Sequence, residues 1–388
     1  MTPLRRFASS PLGGDRARGP AKPVPRRVLA LLVVAALLAG CASPTTGVGY
    51  YWQSVTGHLS LMQAARPVQD WIDDPQTPAP LRQRLALAQN IRSFASTELA
   101  LPDNASYHRY ADLQRRAAVY NVVAATEFSL TLQTWCFPVA GCVGYRGYFD
   151  EAAAKAFADS LPKTLEVAVY PVPAYSTLGW MNWAGGDPLL NTFIGYPEGE
   201  LARLVFHELA HQVLYVKDDT TFNESFATAV ERLGGARWLA QASEAARLEY
   251  ARFDGRRHEF RALTRDTRQQ LNALYAQTTL DDVSKRQRKA GVMADFRSRY
   301  EMLKQSWSGF AGYDPWVARA NNAAFGAQAA YDELVPAFEA LFEREGRDFA
   351  RFYDAVRALS EQPRSDRTAA LRSLLPTSVA ESATPSRP

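Results

Sequence analysis

The chain has 388 residues, 47% of them hydrophobic and 22% charged, a profile that supports a sizeable core and two or three structural units. The net charge is +4, but residues 1–40 hold seven of the Lys and Arg against one Asp, so the remainder stands close to −2. The basic character belongs to the leader, and nothing in it argues for a nucleic-acid partner.

Taken in chain order, Arg26 and Arg27 precede an apolar run from Val28 to Leu38, and Leu38-Ala39-Gly40-Cys41 follows. Such a run is too short to cross a bilayer, which takes roughly twenty residues, so 1–40 reads as a secretory signal. The small residues before the cysteine resemble a bacterial lipoprotein box, which implies lipidation of Cys41 at the mature N-terminus. Plain cleavage near Gly40 is the alternative. Ala42 follows where Asp does not, and by resemblance to the lipoprotein sorting rule this favours the outer membrane. The expectation is a periplasm-facing lipoprotein of the bacterial outer membrane, attached through its lipid.

Cys136 and Cys142 lie in CFPVAGC. In an oxidising periplasm a disulfide closing this short loop is the natural reading, with free thiols as the alternative. No third soft ligand sits nearby to make the pair a metal site.

The spacing predicts mostly helix from Gly47 to about Ser129, including Leu81–Leu99 and Tyr110–Leu130, separated by the breaker LPDNAS. CFPVAGCVGYRGYF reads as a glycine- and aromatic-rich loop, and Glu151–Leu161 as a short helix stopped by Pro162. Leu165–Tyr170 is the strand candidate, halted by Pro171 and Pro173. The loop AYSTLGWMNWAGGDPLLNT leads to a helix that starts near Pro197, with Glu198 and Glu200 at its positive end. Trp238–Trp307 reads as two long antiparallel helices turning near Thr278–Asp282, their arginines forming a solvated face. Further helices fill Asn321–Leu359, and the tail after Pro376 reads as disordered. The fold class expected is α+β and predominantly helical. Its divisions are a signal at 1–40, an N-terminal helical region at 41–145, a catalytic core with a small sheet at 146–237, a C-terminal helical region at 238–375 and a tail at 376–388.

The chemistry concentrates in FHELAHQVLYVKDDTTFNESFATAVERLGG, Phe206–Gly235. His207 and His211 are four apart. On a helix that sets the rings about 40° apart around the axis and about 6 Å along it, where one ion can accept both. Glu208 is rotated about 100° away, too far to be a ligand with them but able to reach a water beside the ion. This geometry is why H-E-x-x-H recurs in zinc hydrolases. The plain alternative is a core helix with two polar histidines, each needing a hydrogen-bond partner. Leu214 and Lys217 stand where the metzincin pattern needs Gly and His, which excludes that class.

A catalytic zinc needs a third protein ligand and an open position. Glu224, in N-E-S-F-A on the next helix, is the candidate. The competing reading makes it the last member of a capping box, Thr221-x-x-Glu224. Asp218 and Asp219 are weaker rivals. Glu231, one helical repeat beyond Glu224, could accept from a ligand histidine or serve as a plain salt-bridge partner.

H-E-x-x-H with a downstream N-E-x-x-A resembles the gluzincin metallopeptidases. More closely, GCASPTTGVGYYWQSVTGHL, CFPVAGCVGYRGYF, AYSTLGW, DPLLNT, FHELAHQ, FNESFATAVE and the NNA before AAYDELVPAFEALF resemble a family of bacterial lipoproteins described as zinc aminopeptidases. The likeness covers nearly everything after Cys41. It implies zinc-dependent peptide hydrolysis with a zincin-like centre, His207, His211 and Glu224 holding Zn2+ and Glu208 acting as general base. Tyr175 leads the candidates for a hydroxyl on the oxyanion, ahead of Tyr215 and Arg146. Leu165–Tyr170 could pair with an extended peptide as an edge strand. Gly179-Trp180-Met181-Asn182 resembles the G-x-M-E-N signature of one aminopeptidase family, but Asn182 stands where the ammonium-binding glutamate belongs; Asp187 is a possible substitute. The alternatives are an endopeptidase, a peptidoglycan-peptide hydrolase, or a non-catalytic envelope assembly factor that keeps zinc for structure. Intact Glu208 argues against the last of these. The C-terminal helical region is expected to wall the cleft, with Asn321, Asn322 and Tyr331 near it.

Overall fold

A computed structural model describes residues 47–137, 141–179, 181–329 and 333–375. The leader, Cys41, Trp180, Tyr331 and the tail from 376 lie outside the described residues. The described residues are predominantly helical with three small sheets, an α+β fold.

The N-terminal helices are α1 (Gly47–Ala64), α2 (Val68–Asp73) and α3 (Ala79–Thr97). Between α3 and the next helix the expected Tyr110–Leu130 helix is absent. Arg109–Ala111 forms β2, which pairs with β1 (Arg66–Pro67) and later with β8 (Leu189–Leu190). Val119–Thr126 forms β3, the centre of an antiparallel sheet of order β6-β3-β7, with β6 at Arg146–Tyr148 and β7 at Leu165–Val172. Both faces of β3 are covered, so Val122–Ala125 are all buried and apolar, with no alternation. That pattern cannot be told from a buried helix by period alone, which explains the error.

The covering helices are α4 (Glu151–Ser160) on one face and α10 (Asn322–Ala329) on the other. Val122, Tyr148, Ala154 and Phe157 pack together on the α4 side; Val123, Ala125, Ala168, Ala323 and Ala324 pack on the α10 side. Asp150 caps α4 by accepting from the Ala153 amide at 2.7 Å, and the helix ends before Pro162, as the sequence indicates. CFPVAGC contributes the hairpin β4 (Trp135–Phe137) and β5 (Gly141–Val143), closed by the expected Cys136–Cys142 disulfide.

The helix that carries H-E-x-x-H, α5 (Glu198–Val213), and α6 (Thr220–Gln241) pack against each other at the middle of the molecule. The long pair α7 (Glu244–Tyr275) and α8 (Asp282–Ser306) follows, antiparallel as expected and with its own aromatic core. After α9 (Asp314–Ala318) come α10, α11 (Val335–Arg344), α12 (Phe349–Ser360) and α13 (Arg364–Arg372). The main core joins Leu61 of α1, Ile91 of α3, Phe206 of α5, Phe226 of α6, Phe338 of α11 and Phe352 of α12. Burying one contiguous apolar mass against α5 and α6 from several sides holds those two helices in fixed register.

Candidate metal centre and active site

Close approach of α5 and α6 is a requirement of the sequence. A Cβ at Gly235 would lie 2.8 Å from the Arg203 side chain, so only glycine lets the helices meet there. The turn between them is set by one amide side chain. Asn223 Nδ2 donates to the Val216 carbonyl at 2.7 Å, and the Val216 amide donates to Asn223 Oδ1 at 2.8 Å. Asp219 caps α6 by accepting from the Phe222 amide at 3.2 Å. The Thr221–Glu224 capping-box reading therefore gives way, and the Glu224 carboxylate is released from the helix start.

Glu224 instead faces the histidines. Its Oε2 lies 3.4 Å from His207 Nε2 and 3.7 Å from His211 Nε2, and the two nitrogens are 3.2 Å apart. His207, His211 and Glu224 could hold a metal ion. The fit is testable by arithmetic: bonds of about 2.1 Å at tetrahedral angles separate ligand atoms by about 3.4 Å. The three measured edges scatter around that value.

Behind this triangle His207 Nδ1 lies 3.0 Å from Glu231 Oε2, and Glu231 is ion-paired with Arg203. Glu231 meets both of its readings: it lies within hydrogen-bond reach of the His207 ring, and its ion pair is made with buried Arg203. Arg203 also contacts the Tyr250 hydroxyl at 2.9 Å and Asp254 at 3.4 Å; Arg257 joins Asp254 to Glu200. The expectation that the α7 arginines form a solvated face thus fails for Arg257 and Arg261. They line a cavity of about 250 Å³ beside His207 and Glu208, together with Val172, Pro173 and Ala174 at the end of β7. Arginine spacing in sequence does not show which side of a long helix meets a neighbour.

The electrostatics follow from three largely buried carboxylates around two imidazoles. Burial pushes Glu208 up, opposed by His207 and His211. Burial also pushes against ionised Glu224, but His211 and His207 win and hold it down to about 2. Burial opposes protonation of His207, while hydrogen bonds to Glu224 and Glu231 outweigh it and raise its pKa. The donor set therefore favours a cation on both charge and geometry.

Asp218 and Asp219 are engaged elsewhere. Asp219 pairs with Arg367 of α13 at 2.7 Å, and Asp218 Oδ1 accepts from the Cys142 amide at 2.5 Å. That last bond seats the disulfide hairpin on the α5–α6 turn.

Tyr175 is not brought to the triad by any described contact. Its ring packs on His58 and Phe149, with centroids 5.7 and 5.0 Å away. The Arg146 guanidinium lies over Tyr50 and Phe157, within a cation–π cluster. Burial raises the hydroxyl pKa of Tyr215, on the turn after α5, and the Glu224 and Asp218 carboxylates add to this. Sequence reasoning passed over Tyr145, between β5 and β6. Burial raises its hydroxyl pKa well above the ordinary value, and the Glu224 and Glu208 carboxylates both add to this. The only signal for it was its place within the CFPVAGCVGYRGYF stretch.

Asn182 and Asp187 belong to a network at the end of α5. Ser106 Oγ donates to Asn182 Oδ1 at 3.0 Å; Gln212 Nε2 donates to Ser106 Oγ at 3.1 Å; and Asn104 Nδ2 donates to Gln212 Oε1 at 2.7 Å. Asp187 is 1% exposed and accepts from the Thr177 amide at 3.0 Å and the Thr177 hydroxyl at 2.8 Å. Asn321 Nδ2 donates to the Val167 carbonyl at 2.9 Å, and Asn322 Nδ2 donates to the Thr126 carbonyl at 3.0 Å. Those two asparagines pin α10 to the sheet and do not line the cavity.

No curated protein matches the chain, and neither does any solved structure. A family model described as "Putative aminopeptidase" matches residues 49–371, a span that runs from α1 to α13 and takes in every side chain of the triangle and its support. The chain belongs to that aminopeptidase family.

Proposed function

We propose that this protein is a zinc aminopeptidase with a gluzincin-like centre, held at the periplasmic face of the bacterial outer membrane by a lipid on Cys41. The observation that carries the reading is the triangle of His207 Nε2, His211 Nε2 and Glu224 Oε2, with edges of 3.2–3.7 Å and Glu208 one residue from the first histidine. When bound there, zinc would supply Lewis acidity that lowers the pKa of a water toward neutrality.

The remaining steps belong to the protein. Glu208 takes a proton from the attacking water, whose oxygen bonds to the peptide carbonyl carbon. The same carboxyl then delivers that proton to the departing nitrogen as the C–N bond breaks. The Tyr145 hydroxyl replaces Tyr175 as the donor to the developing oxyanion. Glu231 accepts from His207 Nδ1 and so fixes its Nε2 as the inward-facing atom. β7 is an edge strand whose end lines the cavity, and an extended peptide pairs along it.

One observation favours a second reading, an endopeptidase or peptidoglycan-peptide hydrolase. Asp187, the substitute for the missing ammonium-binding glutamate, is buried and engaged with Thr177. Zinc content together with cleavage of free and N-blocked peptides separates these readings. Equal cleavage of both kinds of peptide removes the aminopeptidase assignment. No zinc and no cleavage of either removes the enzyme.

A further inference from the structure

Helix α1, GVGYYWQSVTGHLSLMQA, carries no Asp, Glu, Lys or Arg in its 18 residues. Its inner face is well anchored. Tyr50 stacks on Phe137 with centroids 5.4 Å apart, Gln53 Oε1 accepts from the Phe149 amide at 3.1 Å, and Leu61 is in the core. A Cβ at Gly57 would lie 2.3 Å from the Phe149 ring, so the helix docks there by virtue of glycine.

The opposite face is uncovered. Tyr51, Trp52, Val55 and Leu59 are 46%, 67%, 54% and 50% exposed. At about 100° per residue these four fall within one sector of about 100°, and Tyr50, Gln53, Gly57 and Leu61 fall in the sector across the axis. Half of the large exposed hydrophobics among the described residues are on this one helix face.

The chain before α1 says what covers it. Cys41 precedes Gly47 by six residues, which reach at most about 20 Å. No helix among the described residues is long and apolar enough to cross a membrane. An uncharged helix with Tyr and Trp on its free face, tethered that closely to a lipid, suits the boundary between headgroups and acyl chains. We infer that α1 lies on the phospholipid bilayer through Tyr51, Trp52, Val55 and Leu59, as a second attachment beside the lipid on Cys41. This rests on the lipoprotein reading.

The test uses the full-length protein purified from host membranes and reconstituted in phosphatidylcholine vesicles with brominated acyl chains, which quench nearby tryptophan. The mass of the N-terminal peptide reports the acyl group on Cys41 separately. Quenching is expected to fall by at least half in Trp52→Phe and to persist in Trp183→Phe, whose parent residue is 83% exposed but lies off α1. Both substitutions keep an aromatic ring, so folding is preserved. An acylated protein in which Trp52→Phe leaves quenching unchanged overturns the docking face and spares the anchor. Trp52-dependent quenching without an acyl group supports the face and removes the anchor. A stable dimer formed through this face, with no quenching of Trp52, overturns the proposal in favour of a second copy.

Discussion

Glu231 stands seven residues after Glu224 on α6, and its Oε2 lies 3.0 Å from Nδ1 of the histidine whose Nε2 faces Glu224 at 3.4 Å. One helix thus supplies both the atom that closes the triangle and the atom that orients one of its corners.

Removing that support has a measurable consequence. Glu231→Gln is expected to weaken zinc binding by about 10- to 100-fold, read by competition with a chelator. Arg203→Met leaves the Glu231 charge buried without its ion-pair partner and is expected to cost about 3–5 kcal/mol of stability in denaturant unfolding. If neither change is seen, the Arg203–Glu231–His207 chain is incidental to the site.

Glu208→Gln keeps the triangle and removes the proton acceptor. Zinc stoichiometry is expected to stay that of the parent while turnover falls at least about 100-fold. Unaltered turnover would take the general base out of the mechanism.

Tyr145→Phe is expected to lower kcat by about 100-fold with KM little changed, since a donor to the oxyanion acts mainly in the transition state. Tyr175→Phe serves as the comparison and is expected to leave kcat within a few-fold. Reduction of Cys136–Cys142 loosens the hairpin that leads to Tyr145, so kcat falls while the metal is retained. Equal effects of Tyr145→Phe and Tyr175→Phe would argue against the assignment.

Asn223→Ala deletes two hydrogen bonds that shape the α5–α6 turn, each contributing about 1 kcal/mol. Its larger effect is expected on metal affinity, because the turn sets where Glu224 points. Calorimetry with zinc compared with thermal unfolding distinguishes the two. A loss of stability at full metal affinity would mean that Glu224 is placed by packing alone.

Asp187 gives a pH signature away from the ligands. Burial raises its pKa to about 6 from an ordinary value of 3.8, against hydrogen bonds from Thr177 that pull it down. The native state therefore holds this proton more tightly than the unfolded chain. Stability from this group is present below about pH 4, falls as pH rises to about 6 and is flat above; the gap corresponds to about 3 kcal/mol. In Asp187→Asn this component should vanish from the difference in unfolding free energy between pH 4 and pH 7. An unchanged pH profile would place the carboxylate in a more solvated setting than the structure gives it.

What the sequence determined by itself was local chemistry. The spacing of His207, Glu208 and His211 is fixed by helix geometry, so their relative placement needed no tertiary information. The α7–α8 hairpin, the end of α4 before Pro162 and the strand at Leu165 were legible for the same reason: period and prolines act over a few residues. What only the tertiary structure decided were relations across the chain. The Glu224 carboxylate could cap its own helix or face the histidines, and Asn223 and Asp219 settled it by taking over the turn and the cap. β3 looked helical because both of its faces are covered by helices from distant segments, which erases the alternation of a strand. Arg257 and Arg261 looked solvated until α7 was laid beside α5. The disulfide hairpin that leads to Tyr145 is seated on the α5–α6 turn because the Cys142 amide donates to Asp218, 76 residues away. Each of these depends on which surfaces are buried against each other, and burial is a property of the whole chain that no short window of residues contains.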